Sequence, residues 1–461
     1  MNELTTSKEN KILDSIFSPT AFLIFSFFWS TFCYSFRFSW YVGGFIILID
    51  PIYGLLTLLY QVIHNKKKLI TPFVYLAGGY WLYIFIIHLI HNDFTSHGVG
   101  DIMISMFFIM MLLDLNKEEW KKTLTKASCA LLWLSLIYGV LSIIFTYFIT
   151  SSTLTNIKPA FFKNSFSVWV TDSASRMVGI GSNSNATGSW CAYCFMLGSL
   201  YIFLKDNISI KDIILHLSSM LLTAFILIET ACRAGILTIV VYFIMLSILY
   251  FAVIRKHVTT TTKKYVTTLL TILLAIILIA IIAFIVSDRA KAFVFSILRI
   301  DFNSDMTLDK ILKETKKSFS HASGRDEIRE KTWNIWKTNK LWGVPTGEVV
   351  KTFSFYLSSK SGSHNTFLQV LATTGIFGFI LHVAMWLVAI YYNIKVICKS
   401  SDRLLKSIAY LQLAIIPAIF VDNLYETFMY TSITLMAFLG FFVLATGAQL
   451  NNLLRKESNN L

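Results

Sequence analysis

The sequence predicts an all-α, multi-pass integral membrane protein with about twelve spanning helices. Three observations carry this. Of the 461 residues, 55% are hydrophobic and 14% are charged, whereas a soluble domain carries about 25% charged residues. Apolar runs of the length that crosses a bilayer, about 20 residues each, recur along the whole chain. Lys and Arg concentrate in every second loop between those runs. Mean hydropathy is +0.64, which excludes a disordered chain and argues against a soluble enzyme. With 21 Gly, 6 Pro and 6 Cys, the chain is neither collagen-like nor a disulfide scaffold.

The apolar runs lie at 17–36, 40–63, 69–90, 101–114, 127–150, 185–204, 210–229, 235–254, 266–287, 366–394, 405–421 and 428–448. The fourth is short, and Asp50-Pro51 interrupts the second. With the N-terminus inside, alternate loops hold Lys66, Lys67 and Lys68, then Lys117, Lys121, Lys122 and Lys126, then Lys205 and Lys211. They continue with Arg255, Lys256, Lys263 and Lys264, and end with Lys395, Lys399, Arg403 and Lys406. Residues 91–100 and 421–427 hold neither Lys nor Arg. This asymmetry predicts both termini in the cytoplasm of a plasma or inner membrane protein. The polar stretch Met1–Asp14 is followed by no small-residue cleavage site, so the first helix is expected to remain as an anchor. The net charge of +14 is then topology charge that also meets anionic membrane lipids, with no nucleic acid as partner.

Two long segments fall on the outer side, residues 151–184 and 288–365. The second, between spans nine and ten, holds a surface helix. Ser323 caps it, Asp326 and Glu327 occupy its first turn, and Glu327 precedes Lys331 by four. Ile328, Ile335 and Trp336 share a face with Trp333 beside it, suiting the headgroup layer or the roof of a cavity. The expected organisation is one membrane domain over 1–461, with 288–365 as an extracytoplasmic loop whose surface helices cap the active-site cavity.

The cysteines (Cys33, Cys129, Cys191, Cys194, Cys232 and Cys398) sit mostly in or beside apolar runs, where a thiol acts as a small apolar group. Cys191 and Cys194 form a CxxC inside a span with no second pair, a poor zinc or redox signal.

Ionisable groups at the membrane mark function. Arg176, Arg233, Arg325 and His364 come from four segments and all fall on the outer side. Converging cations suit a polyanion, and Arg binds phosphate oxygens bidentately while staying charged when desolvated. Arg233 sits in a very short turn, Glu229-Thr-Ala-Cys-Arg-Ala-Gly235, where the competing reading is an i,i+4 pair with Glu229 or an interfacial anchor. Arg176 opens a Gly/Ser/Asn stretch ending at Asn185, either an anion site before a helix or an ordinary capping turn. Arg325 alone reads as a solvated charge. His364, in Ser363-His-Asn-Thr-Phe, is a proton acceptor at neutral pH or a tolerated interfacial residue, and Asn365 is placed to orient it or a substrate hydroxyl. No Walker A loop, no GxGxxG before a strand and no HExxH occurs, so neither a nucleotide cofactor nor a metal is indicated.

These residues resemble the O-antigen ligase / O-antigen polymerase family of integral membrane glycosyltransferases. Ser363-His364-Asn365-Thr366-Phe367-Leu368 with Gly375 and Gly378 is similar to the family's Ser-His-Asn block after its large outer loop. Arg233 matches a Ser-Arg-Gly-type turn, Arg176 with Gly179 and Asn185 an Arg…Gly…Pro-Asn stretch, and Arg325 with Trp333, Trp336 and Gly343 an Arg…Trp…Gly-Val-Gly region. Cys232, Ala234, Ser184 and Pro345 depart from those patterns. The likeness spans residues 176–378.

The resemblance implies a GT-C-like helical fold and metal-independent, inverting transfer at the outer leaflet, with no cofactor. An undecaprenyl-diphosphate-linked glycan is the implied donor and a sugar hydroxyl the acceptor. His364 is the implied base; Arg233 and Arg325, with Arg176, hold the diphosphate. Asn423, beside Asp422 at another outer turn, is expected to line the cavity together with Asn185 and Asn365. A repeat-unit polymerase for capsule or O-antigen is the favoured reading, working with a flippase and a chain-length regulator. A ligase that moves the finished glycan to another acceptor is the alternative. The rival from another class is a lipid-oligosaccharide flippase or secondary transporter, which calls for charges near the bilayer midplane and broken helices in both halves.

Overall fold

The computed structural model describes residues 11–35, 45–70, 72–90, 105, 107–144, 146, 177, 179–180, 184–287, 325–344, 363–427 and 435–459. Among these residues the fold is all-helical, apart from one isolated bridge between Leu69 and Leu113. In chain order the principal helices are α1 (Pro19–Ser35), α2 (Phe45–Leu59), α3 (Phe73–Ile90), α4 (Lys117–Ile143), α5 (Ser184–Leu204) and α6 (Ile210–Thr230). They continue with α7 (Arg233–Ala252), α8 (Thr260–Val286), α9 (Arg325–Thr338), α10 (Thr366–Lys399), α11 (Arg403–Tyr425) and α12 (Leu435–Asn459).

Nine helices among the described residues are long and apolar enough to cross a membrane, against the expected count of about twelve. The difference lies near the N-terminus. The runs expected at 17–36 and 40–63 give the shorter helices α1 and α2, of 17 and 15 residues, with Pro51 inside α2 and a π-helical turn, Tyr60–His64, closing it. Of 101–114, residues 101–104 and 106 lie outside the described residues, as do 151–176, 288–324 and 345–362.

Side-chain caps fix where the helices begin. Asn116 and Glu119 form a reciprocal capping box at α4, as Ser209 and Asp212 do at α6. Thr259 caps α8, and Asp402 accepts from the amides of Leu404 and Leu405 at α11. The cap at Asn116 starts α4 ten residues before the run expected at 127–150, because its polar first turns are helical too.

The bundle has an inside and an outside. The helix α5 is buried along almost its whole length and α12 nearly so, while α8 is apolar all round and almost entirely exposed. An apolar surface of that kind is stable against lipid tails rather than water.

The two ends of the bundle differ in chemistry. At one end, ion pairs join Lys67 to Glu119, Lys121 to Asp206 and Lys205 to Asp212, each at 2.7 Å, and Lys117 to Asp402. Lys456 meets Asp114 there as well. The helix α11 starts at this end, beside Asp402, and its 23 residues carry the chain about 35 Å to the other end. There it stops at Tyr425, next to the start of α5 and α10. The described lysines of these ion pairs therefore gather at one end, and Arg325 and His364 at the other.

Candidate active site

Glu426 is the hub of that second end. It follows the last residue of α11 in extended backbone (φ −137°, ψ 160°), and its N–H still bonds the Asp422 carbonyl. Its side chain is only 5% exposed. Oε1 accepts from Arg325 Nη2 at 2.7 Å and from Asn185 Nδ2 at 2.9 Å, while Oε2 lies 3.1 Å from His364 Nδ1. Three residues singled out from the sequence thus meet on a carboxylate that was not. Burial pushes the Glu426 carboxyl up, but the His364 hydrogen bond and the Arg325 and His364 charges outweigh it and hold the group below the usual glutamate range.

His364 has φ +51°, in the left-handed region, which costs a non-glycine residue about 1–3 kcal/mol and is found chiefly where function requires it. The turn around it is tied on both sides. Ser363 N–H donates to Gln369 Oε1, Ser363 Oγ donates to the Asn365 carbonyl, and Asn365 Oδ1 caps α10 by accepting from Leu368 N–H. With Nδ1 donating to Glu426, Nε2 carries the ring's lone pair, and nothing among the described residues bonds it. An imidazole oriented by a carboxylate on one nitrogen and open on the other is arranged as a proton acceptor.

The helix α9 brings two guanidinium groups to this turn, one helical turn apart. Arg325, its first residue, also donates Nη1 to the Tyr425 carbonyl at 3.0 Å. Arg329 donates Nη2 to the carbonyls of Leu424 at 2.8 Å and His364 at 3.2 Å. The Nε of each is buried and, among the described residues, unbonded. The expected surface helix is present: Lys331 pairs with Glu327 and Ile328 is buried beside Ile335. Trp333 and Trp342 are exposed, suiting an aqueous or headgroup boundary. Ser323, its expected cap, lies outside the described residues.

Two glycines seat α9's connection on α10. Gly375 (φ +63°) breaks α10, and a Cβ there would stand 2.2 Å from the Leu341 carbonyl oxygen. Gly343 (φ +76°) faces it, with a Cβ meeting Gly375 N at 2.4 Å. Backbone bonds from Val344 N to Ala372 O and from Ile376 N to Lys340 O use groups that the break frees, and Tyr83 Oη donates to Thr374 O at 2.7 Å.

Arg233 is the half-buried first residue of α7. Cys232, standing where the resemblance expects Ser, performs the capping itself: its Sγ accepts from Gly235 N–H and donates to the Asn185 carbonyl at 3.2 Å. Gly188 allows this approach, since a Cβ there would lie 2.4 Å from the Cys232 Cβ. The α7 N-terminus is therefore fastened to the residue that bonds Glu426.

Two expected ligand contacts are engaged inside the protein. Asn423 is buried, donates to the Ile419 carbonyl and accepts from Thr366 Oγ1, which also lies 3.0 Å from the Glu426 carbonyl. Asn365 gives Nδ2 to the Leu424 carbonyl at 3.3 Å besides capping α10. Both hold the site's frame. Arg176 lies outside the described residues; its neighbour Met177 donates its N–H to the Glu229 carbonyl, just before Arg233's turn. The CxxC cysteines, Cys191 and Cys194, are free and fully buried in α5. Among the described residues no group of three or more His, Cys, Asp or Glu side chains converges as a metal site.

Sequence reasoning missed Glu426 and Arg329. The signal for Glu426 was an acid in a short outer turn bare of Lys and Arg; that for Arg329 was its spacing of four from Arg325.

Residues 218–383 match the family model described as O-antigen ligase. The match runs from within α6 to within α10 and holds Arg233, Arg325, Arg329, His364 and Asn365, leaving Arg176, Asn185, Asn423 and Glu426 outside it. No curated protein matches the chain significantly.

Proposed function

We propose that this chain, whose residues 218–383 match the family model described as O-antigen ligase, polymerises lipid-diphosphate-linked oligosaccharide repeat units at the outer leaflet. One observation carries the reading: His364 bonded through Nδ1 to a buried glutamate, with Nε2 unbonded among the described residues, beside the arginines of α9.

In this reaction Nε2 of His364 takes the proton from an acceptor sugar hydroxyl. The freed oxygen attacks the anomeric carbon of the donor, the bond from that carbon to the diphosphate oxygen breaks, and configuration inverts. The imidazolium that forms is stabilised by Glu426. Negative charge builds on the departing polyprenyl diphosphate, where Arg233 and Arg325, with Arg176, receive it. Among the described residues Arg325 Nε has no hydrogen-bond partner. Preorganised donors of this kind are each worth about 3–4 kcal/mol in the transition state. The diphosphate itself supplies the driving force. The lysine-bearing loops then face the cytoplasm.

The ligase reading rests on the description of the matching family and uses the same chemistry with another acceptor. The test is reconstitution of the purified chain in vesicles with an undecaprenyl-diphosphate-linked repeat unit, with EDTA and without nucleotide. Longer lipid-linked glycans support the polymerase. Transfer only when a different acceptor is supplied supports the ligase. Translocation of the lipid with no new bond would overturn both and favour a transporter.

A further inference from the structure

The geometry points to Arg329 as a positioning residue that holds His364 in its left-handed backbone conformation and locks the His364 turn to the end of α11. The inference rests on the proposed base role of His364.

Three observations carry it. First, φ of +51° at His364 is unfavourable for a residue with a Cβ, so the surrounding structure must impose it. The side-chain bonds of Ser363 and Asn365 fix the residues on either side, but the carbonyl of His364 itself is received by Arg329 Nη2. Second, the same nitrogen bonds the Leu424 carbonyl at 2.8 Å, two residues before Glu426. One cation thereby ties the peptide that carries the imidazole to the end of α11, two residues before its carboxylate. Third, Leu424 lies in the last turn of α11, where helix C-termini leave carbonyls unsatisfied and the dipole favours a cation. His364, in contrast, lies just before the cap of α10, so its carbonyl is held by the hydrogen bond alone. Arg325 cannot substitute, because its two terminal nitrogens are already given to Glu426 and Tyr425.

An imidazole misplaced by about 1 Å costs catalysis up to about a hundredfold without a matching loss of binding. Arg329 is therefore expected to act on turnover rather than on donor affinity.

The test uses the full chain in detergent micelles and two variants, Arg329→Met and Arg329→Lys. Hydrogen exchange followed by mass spectrometry reads the peptide 363–369, with peptides of α4 as reference, and transfer kinetics are measured on the same samples. In the methionine variant the turn is expected to exchange about tenfold faster with α4 unchanged, while kcat falls about tenfold or more and the donor KM moves less than threefold. Lysine, which keeps the cation but not the fork, falls between wild type and methionine in both readouts, and it decides the matter should the methionine variant fail to fold. Wild-type exchange at 363–369 in the variants, or a kcat loss without any change there, would overturn the inference. A wild-type chain that transfers no sugar would overturn the proposed function instead, and the exchange result would still decide what Arg329 does.

Discussion

His364 and Glu426 stand 62 positions apart in the chain, yet Nδ1 of one lies 3.1 Å from Oε2 of the other. The pair joins the residue before the cap of α10 to the residue that follows α11, and Arg325 and Asn185 close it from two further helices. Loss of the acid therefore has different consequences from loss of the base.

Glu426→Gln keeps an acceptor for Arg325 but removes the charge that stabilises an imidazolium. The variant is expected to purify normally and to transfer sugar about 10²–10³-fold more slowly, checked by initial rates under saturating donor. Glu426→Ala also strips Arg325, whose own side chain is 11% exposed, of its buried partner. A cost of about 3–5 kcal/mol is expected, visible as a large drop in melting temperature.

The Glu426 carboxyl sits below its ordinary value of 4.5 in the folded protein. The unfolded chain thus binds more protons in the acid range, and stability from this group is fully present above that value. It is lost as pH falls through the folded value. A melting curve taken from pH 7 to pH 3 should show wild type losing stability below about pH 5, with Glu426→Gln losing less over the same interval.

Surface pairs at the opposite end behave otherwise. Lys121 pairs with Asp206, whose side chain is 77% exposed, so Lys121→Ala is expected to change stability by less than about 1 kcal/mol. Denaturant titration in detergent measures it.

Gly375→Ala places a Cβ 2.2 Å from the Leu341 carbonyl oxygen at a left-handed position. A loss of about 1–3 kcal/mol is expected, with faster proteolysis between α9 and α10. Gly343→Ala breaks the same contact, so the double variant should cost less than the sum of the two.

Much of this was legible in the sequence because bilayers enforce it. Runs such as 366–394 and 405–421 need about 20 apolar residues whatever their partners, and they appear as α10 and α11. That Arg325 and His364 stand at the end away from the Lys ion pairs agrees with the alternation of Lys-rich loops along the sequence. The helix ends were less legible: a polar first turn like that of α4 reads as loop until its cap at Asn116 is seen. Glu426 was hidden for another reason. A search for cations that bind phosphate passes over an acid, and its partners lie 62, 101 and 241 positions away. Asn365 and Asn423 carry side chains suited to sugars, but each satisfies backbone or hydroxyl groups at helix ends, a demand that only packing reveals.

The most direct measurement is single-turnover transfer from a radiolabelled undecaprenyl-diphosphate repeat unit by wild type, Glu426→Gln and His364→Ala in the same vesicles. The account predicts that the rate falls in that order, with the alanine variant about 10²–10⁴-fold below wild type and donor binding retained. A folded His364→Ala protein that builds full-length glycan at the wild-type rate would contradict it.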